Sequence, residues 1–600
     1  MSQTIIAGYQ QQAQAAQTSI DELSKEINSY SLMRLGVFGS VAVAVYLSMQ
    51  TTGIALFPSL CAVLLAVFVW LVAKQSKLEQ QREYHRALKT VTENEIRSLT
   101  DRGNIYDNGS AYANDKHHYT SDLDIFGKLS LYQLTNRAAT LPGKDVLAAW
   151  LSSPSTKENI LTRQQAVKEI AAKNDLKLDL QARLLFANSS GAGQLDKLFV
   201  YLTTPLHLPG EQWLRTYVKL APYLLAGSIL AAVYVPLVTL LAVALGIFNM
   251  GVLVSRGGFI AKSGFVADKI GQVLGNYADV FKVLENEQWA SEGCKVLADK
   301  LKINGTSKRI AQLSILINKL SYSLIMVVGF ILNVFFLWAL KQIIAIEDWK
   351  RDNKDSLEDA FNVIGEFEAL MGLAGLHKNF PDWTFPTIAA GDGYTYKATN
   401  IAHPLIAPGI SVANDFELSD TYKVDIITGS NMAGKSTFLR TVGINAVLGL
   451  CGAPVCADSL ELSVIRVITY MRIKDSLNES TSTFKAELDR LQMLLAAVEH
   501  DEKVYFLIDE MLRGTNSVDK YLGSKAVIKQ LIAKRGVGQV ATHDLQIARL
   551  EDEYPDYVRN YYFDIQVQDG EMLFDYRIKH GECKTFNASM LLKRIGIDVA

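Results

Sequence analysis

The 600-residue sequence predicts three kinds of structure in one chain: an α/β domain in the C-terminal third, an all-helical core before it, and hydrophobic helical hairpins of membrane type. Three observations predict this. A glycine-bounded loop, Gly429-Ser430-Asn431-Met432-Ala433-Gly434-Lys435-Ser436-Thr437, follows the mostly apolar run Val424-Asp425-Ile426-Ile427. A second apolar run, Tyr505 to Ile508, ends in the acidic pair Asp509-Glu510. Three long stretches between Leu35 and Leu340 are almost free of charge and give the chain a positive mean hydropathy of +0.11.

The loop has the form G-x-x-x-x-G-K-[ST] between a predicted strand and a predicted helix, the context in which that pattern binds phosphate. Gly429 and Gly434 permit a tight turn with backbone N–H groups pointing inward; Lys435 reaches outer phosphates and the Ser436 hydroxyl suits Mg²⁺. A merely flexible glycine loop is the competing reading, and the acidic strand counts against it. In nucleotide hydrolases such a strand lies beside the phosphate loop. Asp509 would serve the Mg²⁺ shell through water, and Glu510 would orient and deprotonate the attacking water. Downstream, His543 closes another apolar run, Val540-Ala541-Thr542. It either senses a terminal phosphate or caps the next helix, and the residues leave both roles open.

Gly429 to Thr437, Ser482-Thr-Phe-Lys-Ala-Glu-Leu488, Asp509-Glu-Met-Leu-Arg-Gly-Thr515 and Ala541-Thr-His543 resemble the four ATPase motifs of the MutS family, in that family's order and spacing. The resemblance runs closely over residues 396 to 595. It implies an α/β P-loop (ABC-type) ATPase domain that uses ATP and Mg²⁺, and a head-to-tail homodimer with composite ATP sites. It further implies that Ser482 reaches the nucleotide across the dimer interface and that Arg513 to Asp519, including Asn516, runs along it. Two departures stand out. Asn478-Glu479-Ser480-Thr481 replaces a Ser-Gly pair common in the family, and no aromatic residue near Ser411-Val412-Ala413-Asn414 is placed to stack on adenine. The preference for ATP is therefore implied by the resemblance alone.

Charge and cysteine content narrow the partners. The net charge of −2 carries no overall basic bias, so DNA remains a partner that charge does not advertise. Cys61, Cys294, Cys451, Cys456 and Cys583 form neither a disulfide framework nor a zinc pattern, which predicts buried thiols, no structural metal and a reducing compartment.

Leu35–Met49 and Ile54–Ala73 are uncharged, with Arg34 before them and Lys74, Lys77 and Arg82 after, so the positive-inside rule leaves both ends in the cytoplasm. Leu220 to Val254 runs 35 residues without a charge, too long for one span, and Pro236 near its middle predicts two helices. Leu320 to Leu340 poses a parity problem, because a fifth crossing would put the nucleotide site outside the cell. Either it does not cross, or Leu220 to Val254 crosses once and residues 256 to 319 lie outside; the first is the expectation. The expectation is a multi-pass protein of the cell (inner) membrane with four spans and a cytoplasmic ATPase domain.

The remaining sequence reads as helix. Val146 to Leu151, Arg163-Gln164, Ile270 to Leu301 and Ala360 to Leu376 are similar to the MutS core, and Asn400 to Leu405 to the strand entering the ATPase. The expected domains are 1–118 (polar helix and transmembrane hairpin), 119–210 (all-α MutS-like core, first part), 211–262 (second hydrophobic hairpin), 263–395 (core, second part) and 396–600 (ATPase). No Phe-x-Glu occurs in the sequence, so the aromatic wedge of mismatch reading is not expected. The functional expectation is a membrane-tethered ATPase driving a dimer switch, with DNA as one client. The alternative is a membrane ABC-type motor or transporter-like ATPase acting on a protein or lipid.

Overall fold

Two long helices lead the chain in the structure, a computed structural model that describes residues 2–50, 56–189, 200–202, 204, 209–261, 270–353, 357–407, 409–418, 423–430, 432–471, 483–568 and 571–583. Helix α1 (Ser2–Gln50) and α2 (Leu56–Thr100) have 49 and 45 residues, about 70 Å each at 1.5 Å per residue. They pack against each other in antiparallel fashion. The expected spans are thus the ends of much longer helices. Their apolar halves expose Leu35, Phe38, Val63 and Trp70. Their polar halves are joined by Lys89 donating to Gln17, and they dock on the core where Gln12 donates to Asp175 and the Tyr84 hydroxyl to Asp179 at 2.5 Å.

The second hydrophobic stretch breaks at residues 233–237 into α6 (Glu211–Ala232) and α7 (Val238–Ser255); α3 (Leu141–Ser152), α4 (Lys157–Ala172) and α5 (Asn174–Leu184) precede it. Among the described residues three helices are long and apolar enough to cross a membrane: Gln3–Leu47, Ser59–Thr100 and Val238–Ser255. Helix α6 is not one of them. Glu211, Arg215 and Lys219 occupy its first turns, and its uncharged part is short.

Helices α8 (Ile270–Asn286), α9 (Glu292–Asn304) and α10 (Thr306–Ser321) continue the core. The third apolar stretch is not one straight helix. It forms α11 (Met326–Phe336), which meets α12 (Trp338–Asn353) at a bend of 75°. Leu337, at φ 46°, makes the break, since a left-handed residue cannot continue a right-handed helix.

Helix α13 (Leu357–Asn379) is the axis of the core, buried along nearly its whole length against α3 and α4. Tyr277, Phe281, Phe361 and Phe367 fill the space around it. The same apolar core continues without a gap into one face of the C-terminal sheet through Leu123, Val442 and Leu507.

The C-terminal α/β domain holds two sheets. The smaller has the order β1-β5-β2-β3, from β1 (Thr387–Ile388), β2 (Tyr396–Ile401), β3 (Asn414–Leu418) and β5 (Ser459–Leu462). The larger has the order β10-β9-β4-β8-β7-β6, from β4 (Val424–Thr428), β6 (Arg466–Tyr470), β7 (Val504–Asp509), β8 (Val537–Thr542), β9 (Val558–Gln568) and β10 (Glu571–His580). Strands β4, β7 and β8 are buried at every residue, as central parallel strands covered on both faces must be. Helix α14 (Lys435–Cys451) covers the face toward the helical core. Helices α15 (Thr483–His500) and α16 (Ser517–Ala533) cover the other, around Ile426, Phe506, Ile508 and Val540.

Two expected boundaries shift. Strand β1 already pairs with β5 through Thr387 and Glu461, so the domain begins before residue 396. The boundary at 118/119 falls inside a segment docked on the sheet, where the His118 carbonyl accepts from Thr469 N and Asp122 from the Thr469 hydroxyl. Sequence periodicity does not reveal docking by irregular backbone.

Candidate functional site

Strand register assembles the site. In the parallel ladders Thr428 pairs with Thr542, and Asp509 with Ala541. The residues after each strand therefore leave one edge of the sheet together: Gly429 after β4, His543 after β8 and Glu510 after β7. The loop after β4 turns straight into α14, so that helix's N-terminus faces the same edge.

Both loop glycines are required by geometry. Gly429 has φ 143°, and a Cβ there would lie 2.8 Å from the Phe563 carbonyl oxygen. Gly434 has φ 107° and precedes the first helical residue. Between them Ala433 is buried and Met432 is 70% exposed; Asn431 lies outside the described residues. Lys435 is only 3% exposed. Its ammonium donates to the carbonyls of Gly429 (2.7 Å) and Ser430 (2.8 Å), bracing the loop on itself. Burial lowers its pKa, with Glu510 and Asp509 pulling the other way. Ser436 is half-buried beside Asp509, and Thr437 is exposed.

Asp509 is the last residue of β7 and is buried. Its Oδ1 has no hydrogen-bond partner among the described residues. Burial raises its pKa, against the opposing effects of Ser436 and Arg513. Glu510 leaves the strand at φ 53° and Leu512 follows at φ 55°. Left-handed geometry at two non-glycine residues is a strained turn of the kind found at functional sites. The turn aims Glu510 at His543, whose Nδ1 lies 3.2 Å from Glu510 Oε1. That contact is the main reason the Glu510 carboxyl is held down at about 2. His543 therefore engages the acidic pair, while the following residue, Asp544, caps the next helical turn by accepting from Gln546 N.

The residues that resemblance assigns to a dimer interface have partners within this chain. Arg513 folds back on the acidic pair, 3.6 Å from Asp509 Oδ2 and 3.5 Å from Glu510 Oε2. Asn516 is the N-cap of α16, accepting from Asp519 N and donating to the Asp519 carboxylate. Ser482 lies outside the described residues, directly before α15. Glu487 on α15 is buried and accepts from Arg513 N, which ties the α15 motif to the acidic turn.

Two neighbours escaped the sequence reading. Lys520 on α16 comes within 3.4 Å of His543 Nε2; its position one turn into a helix carries no signal of its own. Tyr576, at φ 50° beside a bulge in β10, stands 3.1 Å from where a Gly434 Cβ would be. It brings a partly exposed aromatic ring to the mouth of the loop. Only long-range pairing of β10 with β9 puts it there.

Residues 425–595 match the family described as MutS domain V. Over 231 residues the chain is 29% identical to the DNA mismatch repair protein MutS of Thermosipho melanesiensis, covering 38% of this chain and 27% of that protein. It is 30% identical over 236 residues to the DNA mismatch repair protein MSH3 of Phaeosphaeria nodorum (38% and 20%) and 31% over 251 residues to MutS of Aquifex pyrophilus (41% and 28%). The chain thus spans about a quarter of the length of the curated relatives it matches. The match falls on the segment that carries the loop, the acidic strand and His543, and it supports membership of the MutS family through a C-terminal domain V.

Proposed function

We propose that the protein is a membrane-tethered, Mg²⁺-dependent ATPase of the MutS type, in which ATP binding and hydrolysis drive a conformational switch of a homodimer. The observation that carries this reading is the single sheet edge shared by the loop with Lys435, the acidic pair Asp509-Glu510 and His543.

The residues fit the substrate and its metal. A buried carboxylate oxygen without a hydrogen-bond partner, beside a serine hydroxyl, suits a hard divalent cation, so Ser436 and Asp509 would hold Mg²⁺. Bound there, the ion would neutralise charge on the phosphate oxygens. Lys435, released from the loop carbonyls, would place its charge on the outer phosphates. Glu510 is ionised throughout the physiological range, and it would orient a water in line with the γ-phosphate and accept its proton. The water oxygen bonds to phosphorus as the bond to the β-phosphate oxygen breaks, and ADP and phosphate leave. His543 keeps Glu510 aimed.

Three helices long and apolar enough to span support a membrane location; the inner membrane and a cytoplasmic ATPase domain belong to this proposal because ATP is available on that side. Continuity of the apolar core from α13 into the sheet supports transmission of the nucleotide state to the helices. The relatives' names make DNA the first client to test.

The test is ATP turnover by detergent-purified protein with and without duplex and branched DNA, Lys435→Ala serving as the blank. Stimulation by DNA supports a nucleic-acid switch. DNA-indifferent turnover moves the client to a protein or a lipid, and turnover equal to the blank removes the ATPase assignment. Composite sites make a second prediction. Ser482→Ala and Lys435→Ala subunits, each inactive alone, should recover up to one working site per mixed dimer. Mixtures that stay at the blank rate would exclude completion across the interface.

A further inference from the structure

The 21 residues from Leu320 to Leu340 carry no charge. As one straight helix they would be about 31 Å long, enough to cross a hydrocarbon core of about 30 Å. The structure makes them an excursion that returns to its starting point. The Trp338 indole N–H donates to the Lys319 carbonyl at 2.7 Å, so the exit is hydrogen-bonded to the entrance. Between the two, α11 has eleven residues, about 16 Å or half the depth of the core. The return is built into the backbone: Leu337 is left-handed and buried, and Asn333 Oδ1 accepts from Ala339 N across the bend.

A buried polar bridge ties the excursion to the second hairpin. Asn249 on α7 is 1% exposed; its amide donates to the Val334 carbonyl on α11 (2.7 Å) and its oxygen accepts from the Tyr217 hydroxyl on α6 (2.6 Å). An amide in such an apolar setting needs these partners, and they join α6, α7 and α11 into one unit. Around its axis α11 exposes Met326, Val328, Phe330, Ile331, Phe335 and Phe336, with Met326 at 86%. No charge interrupts that surface. Exposed Lys319 and Lys341 stand at its two ends, and exposed Lys219 at the base of α6.

We propose that Leu320–Leu337 is a re-entrant segment that dips into the single bilayer leaflet on the side of the α/β domain, locked to the α6–α7 hairpin by Asn249. Its occupant is lipid: acyl chains cover the apolar face of α11, and anionic headgroups meet Lys219, Lys319 and Lys341. Entrance and exit on one side leave the number of crossings unchanged, so the α/β domain stays on the side from which the excursion starts. This inference rests on the membrane part of the function proposed above.

The test uses the full chain in sealed membrane vesicles of known orientation, with Lys319→Cys, Lys341→Cys, Phe330→Cys and Tyr234→Cys made one at a time. Tyr234 lies between α6 and α7 and is 87% exposed. Modification by a membrane-impermeant maleimide is read at each site by mass spectrometry, which separates the new thiols from the native ones. The 319 and 341 sites should both react from the α/β-domain side. The 330 site should lose aqueous reactivity, and a fluorophore attached there should be quenched by spin-labelled lipid. Reaction of 319 and 341 from opposite sides would show a true crossing and overturn the proposal. Protection at 330 without lipid quenching would mean that protein, a second copy included, covers α11, and would overturn it as well. Should the membrane reading itself be wrong, the chain would leave the vesicles in carbonate washes and the 234 site would react in the soluble fraction.

Discussion

Glu510→Gln is expected to leave nucleotide binding intact and to lower ATP turnover by about 10²- to 10⁴-fold, the usual contribution of a positioned general base. The amide keeps the size of the side chain and still accepts a hydrogen bond. The groups proposed to hold phosphate, Lys435 and the loop amides, are on other elements and do not change. What disappears is the charge proposed to accept a proton from water. Titration with a fluorescent ATP analogue beside single-turnover hydrolysis separates the two effects; a rate equal to wild type would remove Glu510 from the chemistry. The pH profile gives a second check. With the folded carboxyl held near 2 by His543, Glu510 is ionised at every pH above that. Turnover between pH 5 and 8 should therefore show no acid limb from this group.

Arg137→Met is expected to cost about 3–5 kcal/mol of stability at the junction of the leading hairpin and the core, the range for stranding one partner of a buried ion pair. Arg137 Nε lies 2.7 Å from Glu95 Oε1, and both side chains are almost wholly buried. Glu95 on α2 also accepts from Asn379 at the end of α13, whose oxygen accepts from the Tyr9 hydroxyl of α1. One carboxylate thus ties α1, α2 and α13 together where the chain leaves the core for the sheet. Burial pushes the Glu95 carboxyl up, but Arg137 and Lys177 outweigh it and hold it at about 2. A depressed folded pKa adds stability above the ordinary carboxylate value of 4.5, and that stability is lost as pH falls from there toward 2. Hydrogen exchange along Val91–Thr100 in detergent is the measurement, since unfolding of so large a chain need not be two-state. Glu95→Leu combined with Arg137→Met removes the pair itself but leaves buried Lys177 without its carboxylate, so it should recover only part of the lost protection. A single variant protected as well as wild type would show that the pair contributes nothing to the junction.

The layout of the candidate site was legible because it is local. Gly429 to Thr437 spells out a turn, an N-terminus and a cation in nine residues, and the strand before it is mostly apolar. Asp509-Glu510 was legible for the same reason. The direction of His543 was not, since capping and phosphate sensing use the same sequence position. Pairing of Asp509 with Ala541 turned it toward Glu510. Arg513, Asn516 and Asp519 were read through family likeness as interface residues; within one chain they clamp the acidic turn and cap α16. Glu95 and Arg137 carried no signal at all, being 42 residues apart on elements of different character.

The sequence by itself determined the glycine-bounded loop, the acidic strand, the apolar segments and the break near Pro236, because each depends on residue types within one or two turns of chain. Only the tertiary structure decided that Tyr576 stands over the loop, that one carboxylate holds three helices, and that Leu320 to Leu337 returns to where it began. Those outcomes depend on long-range pairing, on burial that makes a lone charge costly, and on a single left-handed residue at 337. Hydrophobicity alone states that a segment avoids water; the hydrogen bond from Trp338 to Lys319 states where it goes.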